Sequence, residues 1–336
     1  MSLAVITGAS GLLGGNLAEA LVASGHRVRA TRRGSTKVAH LDDLPLEWAD
    51  ADLADPAALA AAFRGADVVF HCAAAVGVRK GVTPAMRAAN VDGTRHVLDA
   101  VRAAGVARLV HTSSVVAVGL SADGAPCTED SPWNFDAFGL DDGYAITKRQ
   151  AEDLVTAAAA PGPDGVDAVI VNPTYMFGPR DARPSSGKLI VDVVRRKVPG
   201  WTPGFNNFVD VRDVARGMIA AWQRGARGRR YILGGHELTY RAAMETIAAV
   251  AGVKPPRFRV PHLVARLAGR AGDLAERLRD ADPLITSTTV RYAFTDRFRF
   301  SSARAQAELG YTYGPVEPAI ADAITWLRGA GMLAAA

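Results

Sequence analysis

The stretch Leu3-Ala4-Val5-Ile6-Thr7-Gly8-Ala9-Ser10-Gly11-Leu12-Leu13-Gly14 decides how the rest of this chain is read. A short apolar run closes on glycine, and helical periodicity follows from Leu12 to Ala23 until Ser24-Gly25 stops it. Glycines at a strand-to-helix junction allow a tight turn and close backbone approach to a pyrophosphate. The helix N-terminus then offers free N–H groups and a positive dipole end to the anion. The spacing is G-x-x-G-x-x-G rather than G-x-G-x-x-G, so the turn alone is weak evidence. Its position at the first strand–helix junction of an alternating chain makes it strong.

The alternation continues. Arg27–Arg32, Leu46–Ala49, Asp67–His71, Arg108–Thr112 and Asp167–Val171 read as strands. Pro56–Phe63, Pro84–Ala103 and Tyr144–Ala159 read as helices between them. Apolar strands alternating with helices predict an α/β fold with a doubly wound parallel sheet covered on both faces. After Pro173 the pattern changes. Helical segments dominate at roughly 187–197, 211–223, 239–251, 262–279 and 316–329, with short β-like pieces at Tyr231–Leu233 and Arg257–Val260. The expected division is a dinucleotide-binding domain over residues 1–172 and a smaller, mostly helical substrate-binding region over 173–336, some segments of which return to the first.

The chain has 336 residues, of which 49% are hydrophobic and 22% charged, with a formal net charge of +5. That is soluble globular composition. No basic stripe interleaved with aromatics exists, so no nucleic-acid partner is expected. No apolar run reaches membrane-spanning length, and no membrane partner is expected. The two cysteines, Cys72 and Cys127, have no metal-ligand spacing, so neither a disulfide framework nor a zinc site is inferred. The chain opens directly on a strand, without a cleavable leader pattern, and a cytoplasmic enzyme is the expectation.

Tyr144 and Lys148 stand four residues apart, on one face of a helix. A free phenol ionises near pH 10, and a neighbouring ammonium favours the phenolate, so Lys148 is expected to lower the pKa of Tyr144. The second strand ends in Arg32-Arg33-Gly34-Ser35-Thr36-Lys37 with no acidic residue. An acidic side chain there would bond the ribose of NAD, whereas an arginine accepts the 2′-phosphate of NADP. Arg33 is the first choice for that phosphate, with Arg32 and Lys37 behind it, and NADP(H) is preferred over NAD(H). Asp52 and Leu53 follow the third strand, where a carboxylate either accepts from the adenine amino group or is simply solvated. Asn90 either supports a water relay or makes a buried packing hydrogen bond. His71 and His111 are read as satisfied core histidines.

These residues together resemble the extended short-chain dehydrogenase/reductase family across nearly the whole chain. Thr7 to Gly14 is similar to its T-G-x-x-G-x-x-G turn, Asn90 to Thr94 to its N-V-x-G-T helix, and Asn172-Pro173 with Gly178-Pro179 to its N-P-x-x-x-x-G-P segment. Phe208–Ala215 and Tyr231–Gly235 resemble later landmarks. Within the family, Val28–Thr31 followed by Arg33, together with Thr112-Ser113-Ser114, is most similar to the dihydroflavonol-reductase group. The resemblance implies a Rossmann-type fold and places Gly8, Ser10, Gly11, Leu12, Leu13, Gly14, Ala73, Ala74, Tyr144, Lys148 and Pro173 against the cofactor. It implies Ser114, Tyr144 and Lys148 as catalytic residues. Strand alternation turns Ser113 and Ser114 to opposite sides, and the distance to Gly119 favours Ser114.

Val76, Ser114, Phe135, Phe138, Tyr175, Met176 and Phe205 are the candidate substrate wall. Such aromatics suggest an apolar or aromatic carbonyl substrate. Sugar-nucleotide enzymes of the family usually carry R-D-F where this chain has Asn206-Asn207-Phe208. The expected function is therefore NADP(H)-dependent reduction of a ketone or aldehyde, reversible as alcohol oxidation. The alternative is a sugar or nucleotide-sugar epimerase or dehydratase retaining NAD. The resemblance also admits a homodimer.

Overall fold

The computed structural model describes residues 1–279 and 285–334. Its first half contains β1 (Leu3–Thr7), α1 (Leu12–Ala23), β2 (Arg27–Arg32), β3 (Leu46–Asp50), α2 (Pro56–Phe63) and β4 (Val68–His71). The helix expected over Pro84–Ala103 is a continuous helical stretch in three parts: α3 (Pro84–Met86), a π-helical turn over Arg87–Asp92, and α4 (Gly93–Ala104). Then come β5 (Arg108–Thr112), α5 (Gly143–Ala158) and β6 (Ala168–Pro173). The second half contains β7 (Tyr175–Phe177), α6 (Lys188–Val194), β8 (Phe205–Asp210), α7 (Val211–Arg224), β9 (Arg230–Leu233), β10 (His236–Thr239) and α8 (Tyr240–Ala251). It ends with α9 (His262–Arg279), α10 (Ser287–Phe294), α11 (Ala303–Leu309) and α12 (Val316–Gly329).

Seven strands form one parallel sheet in the order β3-β2-β1-β4-β5-β6-β9. The strand order reverses at β1, so a crevice opens beyond the carboxyl ends of β1 and β4, where this architecture binds its ligands. Every residue of β1, β4 and β6 is buried. Such strands need apolar cover on both faces. Leu17, Leu21, Phe70, Val214 and Met218 build one layer with α1 and α7, while Leu59, Phe63, Val97, Val101 and Val155 build the other with α2, α4 and α5. Phe63 and Phe70 are fully enclosed, on opposite faces. Each such burial is worth about 1.5–3 kcal/mol. A solvated pair such as Arg95–Asp92 adds about 0–1 kcal/mol, so the apolar layers hold the sheet.

The second half lends β9, α7 and α11 to this sheet and its cover. A smaller three-stranded sheet, β10-β8-β7, packs with α6, α8 and α12 around Phe177, Phe208, Ile247, Ile320 and Ile324. The β-like reading of Arg257–Val260 reduces to a single bridge between Arg259 and Trp201.

Candidate active site

The glycine turn is set by backbone proximity. Gly8 adopts φ +77°, and a Cβ there would fall 2.6 Å from the Ala73 main chain, which follows β4. At Gly14 a Cβ would fall 2.3 Å from the Gly8 carbonyl oxygen, so α1 starts directly against the turn. Gly11 caps α1 without a side-chain bond, leaving first-turn N–H groups facing the crevice. Leu12 and Leu13 are buried beneath the turn, while Ser10 is partly exposed. A cradle only glycine fits, beside an uncapped 12-residue helix, suits a dinucleotide pyrophosphate.

Beyond β2 the three cations separate. Arg32 donates from Nε to Asp50 at 3.0 Å and lies over the Trp48 ring at 5.5 Å. Arg33 and Lys37 are exposed, and no hydrogen bond or ion pair holds the Arg33 guanidinium among the described residues. Asp52 is exposed and accepts from the Ala54 N–H, while Leu53 packs against Gly93.

α5 delivers Tyr144 and Lys148 to the carboxyl ends of β4, β5 and β6. Asp142 caps this helix by accepting from the Tyr144 N–H at 2.9 Å, and Tyr292 Oη donates to its other oxygen at 2.5 Å. Burial pushes the Asp142 carboxyl up to about 6, opposed by those hydrogen bonds. Lys148 is buried and donates from Nζ to the Thr112 carbonyl at 2.6 Å. Burial lowers its pKa to about 8, opposed by the Glu152 charge one turn on. Glu152 is buried in turn, accepting from Arg230 at 2.8 Å and Asn172 at 2.7 Å.

The expected lowering of the Tyr144 pKa by Lys148 is not what the structure gives. Burial pushes the phenol up to about 12; a hydrogen bond with Ser114 pulls it down, and the Asp142 charge raises it further. Loss of water is the largest cause, and the Lys148 ammonium donates to the Thr112 carbonyl. Ser114 follows β5 near enough to Tyr144 to moderate its pKa, whereas Ser113 is buried with its hydroxyl unpartnered among the described residues.

Of the two readings of Asn90, the structure builds the packing one. Its amide exchanges bonds of 2.7 and 3.0 Å with the Ala75 backbone and donates to Thr147 at 3.0 Å. The π-helical turn aims it across, tying the loop after β4 to α5. His71 lies between Thr7 and Thr94, and burial lowers its pKa to about 3. His111 corrects the expectation of a satisfied core histidine. It is buried and neutral, with neither ring nitrogen hydrogen-bonded among the described residues.

The candidate substrate wall divides. Phe135 is wholly buried, stacked on Trp133 at 5.4 Å within a core of Val118, Leu140, Phe298 and Phe300. It has no free face for a ligand, which removes it from the wall. Phe138, three residues on, stays partly exposed under the Arg297 guanidinium at 4.3 Å. Phe205 lies under Arg299 at 4.3 Å. Tyr175 and Met176 are half-buried, Pro173 is buried at the end of β6, Ala73 and Ala74 are half-buried, and Val76 is exposed. Phe138 and Leu140 face an open cavity of about 500 Å³ shared with Arg259, Arg291 and Phe294. Tyr144 is not in its wall, although Phe138 and Leu140 of the loop leading into α5 are.

At Asn206-Asn207-Phe208 the amides close on the protein itself. Asn206 donates to Tyr240, and Asn207 exchanges bonds of 3.2 and 2.7 Å with Gly235. Phe208 is buried between Tyr175 and Phe177. The sequence reading missed Asp142 and the Tyr292 that holds it. Asp142 was within reach as an N-cap immediately before the helix; Tyr292 left no local signal.

A model of the NAD dependent epimerase/dehydratase family matches residues 4–234. The chain is 35% identical over 333 residues to sterol demethylase protein B of Methylococcus capsulatus, covering 98% of this chain and 99% of that protein. It is 32% identical over 331 residues to a dihydroflavonol 4-reductase-like protein of Synechocystis, covering 97% and 94%. The crystal structure of gox2253 superposes with a TM-score of 0.85 at 33% identity, over 99% of this chain and 100% of that one.

Proposed function

This chain belongs to the NAD dependent epimerase/dehydratase family, within the extended short-chain dehydrogenases/reductases, and from that premise we propose that it is an NADP(H)-dependent reductase of an apolar or aromatic ketone or aldehyde. The observation that carries this reading is Tyr144 one helical turn before buried Lys148, whose Nζ is held on the Thr112 carbonyl two residues before Ser114. The resemblance to a reductase and to a sterol-processing protein supports a carbonyl on an apolar skeleton. The self-paired amides of Asn206 and Asn207 leave no cation where sugar-nucleotide relatives usually carry arginine.

Gly8, Ser10, Gly11 and Gly14, with Leu12 and Leu13 beneath, would hold the pyrophosphate. Arg33 would take the 2′-phosphate, Arg32 and Lys37 standing behind it. Ala73, Ala74 and Pro173 would flank the nicotinamide side, and Asp52 with Leu53 the adenine side. When bound, the cofactor supplies the hydride. Ser114 donates a hydrogen bond to the substrate oxygen, fixing its position and polarising the carbonyl. Tyr144 gives its hydroxyl proton to that oxygen as the alkoxide forms. A phenol pushed up to about 12 is fully protonated at neutral pH and still more acidic than the product alcohol, so it begins as a competent acid toward the forming alkoxide. Lys148, charged below about pH 8, adds a cation to the side where negative charge develops. Phe138, Tyr175, Met176, Phe205 and Val76 would line the approach.

The test is NADPH oxidation against aromatic and alicyclic ketones and aldehydes, comparing the native chain with Tyr144→Phe. The proposal expects turnover that collapses in the variant; unchanged turnover would contradict the assignment of Tyr144. Retained NAD with nucleotide-sugar interconversion is the outcome that the epimerase reading requires.

A further inference from the structure

α9 carries its large apolar side chains outward. Leu263, Val264, Leu267 and Leu274 are 67%, 56%, 58% and 56% exposed, whereas Ala265, Gly269 and Gly272 face inward. At 100° per residue the four large side chains fall within an arc of about 100°, roughly opposite the small residues. The helix cannot roll to hide them. A Cβ at Gly272 would fall 1.8 Å from the Ile285 carbonyl oxygen, and one at Gly269 would fall 3.1 Å from Ser287 Cα. Asp273 also accepts from the Ser287 N–H at 2.9 Å. The main chains of α9 and the start of α10 are therefore in contact, and the apolar arc is held toward solvent.

Arg266 and Arg270 border this arc. With His262 and Arg291 they line a shallow recess of about 340 Å³. No hydrogen bond or ion pair holds the Arg266 or Arg270 side chain among the described residues. The carboxylates on the helix are spent elsewhere, Asp273 on Ser287 and Glu276 on Arg79. Among the described residues, a second copy meeting this face across a two-fold axis would set arginines against arginines with no free carboxylate of α9 between them. A lipid bilayer with anionic headgroups satisfies both features, because it offers acyl surface to the arc and phosphates to the guanidinium groups.

We propose that α9 is a peripheral membrane-docking surface for bilayers containing anionic phospholipid. Leu263, Val264, Leu267 and Leu274 enter the headgroup–acyl boundary, and Arg266 and Arg270 engage lipid phosphate. A helix lying in the interface needs no spanning segment, so the lack of one in the sequence does not bear on it. The proposal is independent of Tyr144 and of the substrate.

The experiment is flotation of the full chain with vesicles of phosphatidylcholine alone and of phosphatidylcholine with about one-third phosphatidylglycerol. The expected result is at least about ten-fold tighter association with the anionic vesicles, weakening as salt is raised. Arg266→Ala with Arg270→Ala should weaken it about thirty-fold, from roughly five-fold per basic residue. Leu263→Ser with Leu267→Ser should abolish association. These side chains are solvent-exposed, so unchanged thermal melting and unchanged NADPH turnover with a soluble substrate accompany the expected loss. Equal or no association of the native chain with the two vesicle types overturns the proposal without touching the reductase reading. So does native-like vesicle association by both variants, or a Leu263→Ser/Leu267→Ser variant that only converts a dimer to a monomer.

Discussion

At the glycine turn, the β1 and β4 main chains approach within the space of one Cβ, and every partner lies within the first 73 residues. Around Phe138 the opposite wall is assembled from side chains reaching across the chain. Arg291 donates to the Phe138 and Gly139 carbonyls from 153 and 152 residues away, and Tyr292 reaches Asp142 from 150. One wall is defined by what cannot fit and leaves its mark in residue type. The other is defined by long-range partners and leaves almost none. Tyr144, the proposed proton donor, enters on α5, four residues after Leu140 of the second wall.

That contrast can be broken first at its junction. Tyr144→Phe removes the proton donor while keeping the ring, and turnover should fall by about 10²–10⁴-fold with melting temperature little changed. Single-turnover kinetics with NADPH would reveal it. Phe135 and Phe138 sharpen the comparison next. Phe135→Ala should cost about 3–5 kcal/mol of stability in urea melts, because a wholly buried ring leaves a cavity. Phe138→Ala should change KM more than stability, since its ring is already partly exposed. A Phe135→Ala variant with native stability would show that the two rings are not distinguished as described.

On the glycine side, Arg33→Ala should weaken NADPH binding about 10- to 100-fold, as loss of a charged hydrogen bond does, and leave NADH binding unchanged. Fluorescence titration with both cofactors checks it. The smallest effect is expected at Asp142. Its carboxyl titrates near 6 in the fold, against an ordinary 3.8. A raised carboxylate stabilises the fold fully below the ordinary value, and this contribution is lost as pH rises through about 6. Asp142→Asn should remove that dependence. Its stability relative to the native chain should rise by about 1–3 kcal/mol between pH 4 and 7. A constant difference across that range would show that Asp142 is not held protonated by burial.

The legible parts of the fold share a physical cause. β1, β2, α1 and α2 run between the residues their pattern implies, because continuous apolar runs and caps are local signals. β8 was not readable: Phe205-Asn-Asn-Phe-Val-Asp210 lacks alternation, and its asparagines are satisfied by Gly235 and Tyr240, contacts that exist only in the fold. α10 and α11 span eight and seven residues and lack the N-terminal proline and apolar run that marked the equally short α2. In the site, the placement of Tyr144 and Lys148 on one helix was readable from their spacing, whereas the choice of Ser114 rested on the family resemblance and the distance to Gly119. The electrostatics were not, because the sign of the Tyr144 shift is set first by burial, which is a product of the whole fold. Phe135 and Phe138 were indistinguishable for the same reason: Phe298 and Phe300 seal the first, and Arg297 covers the second.

The proposed reaction is net reduction of a carbonyl with Tyr144 as proton donor. It is tested most directly by measuring NADPH consumed per alcohol formed, for the native chain and for Tyr144→Phe. One cofactor oxidised per product is expected in the native chain, with loss of both signals together in the variant. Interconversion of a nucleotide sugar with no net cofactor consumption would contradict it.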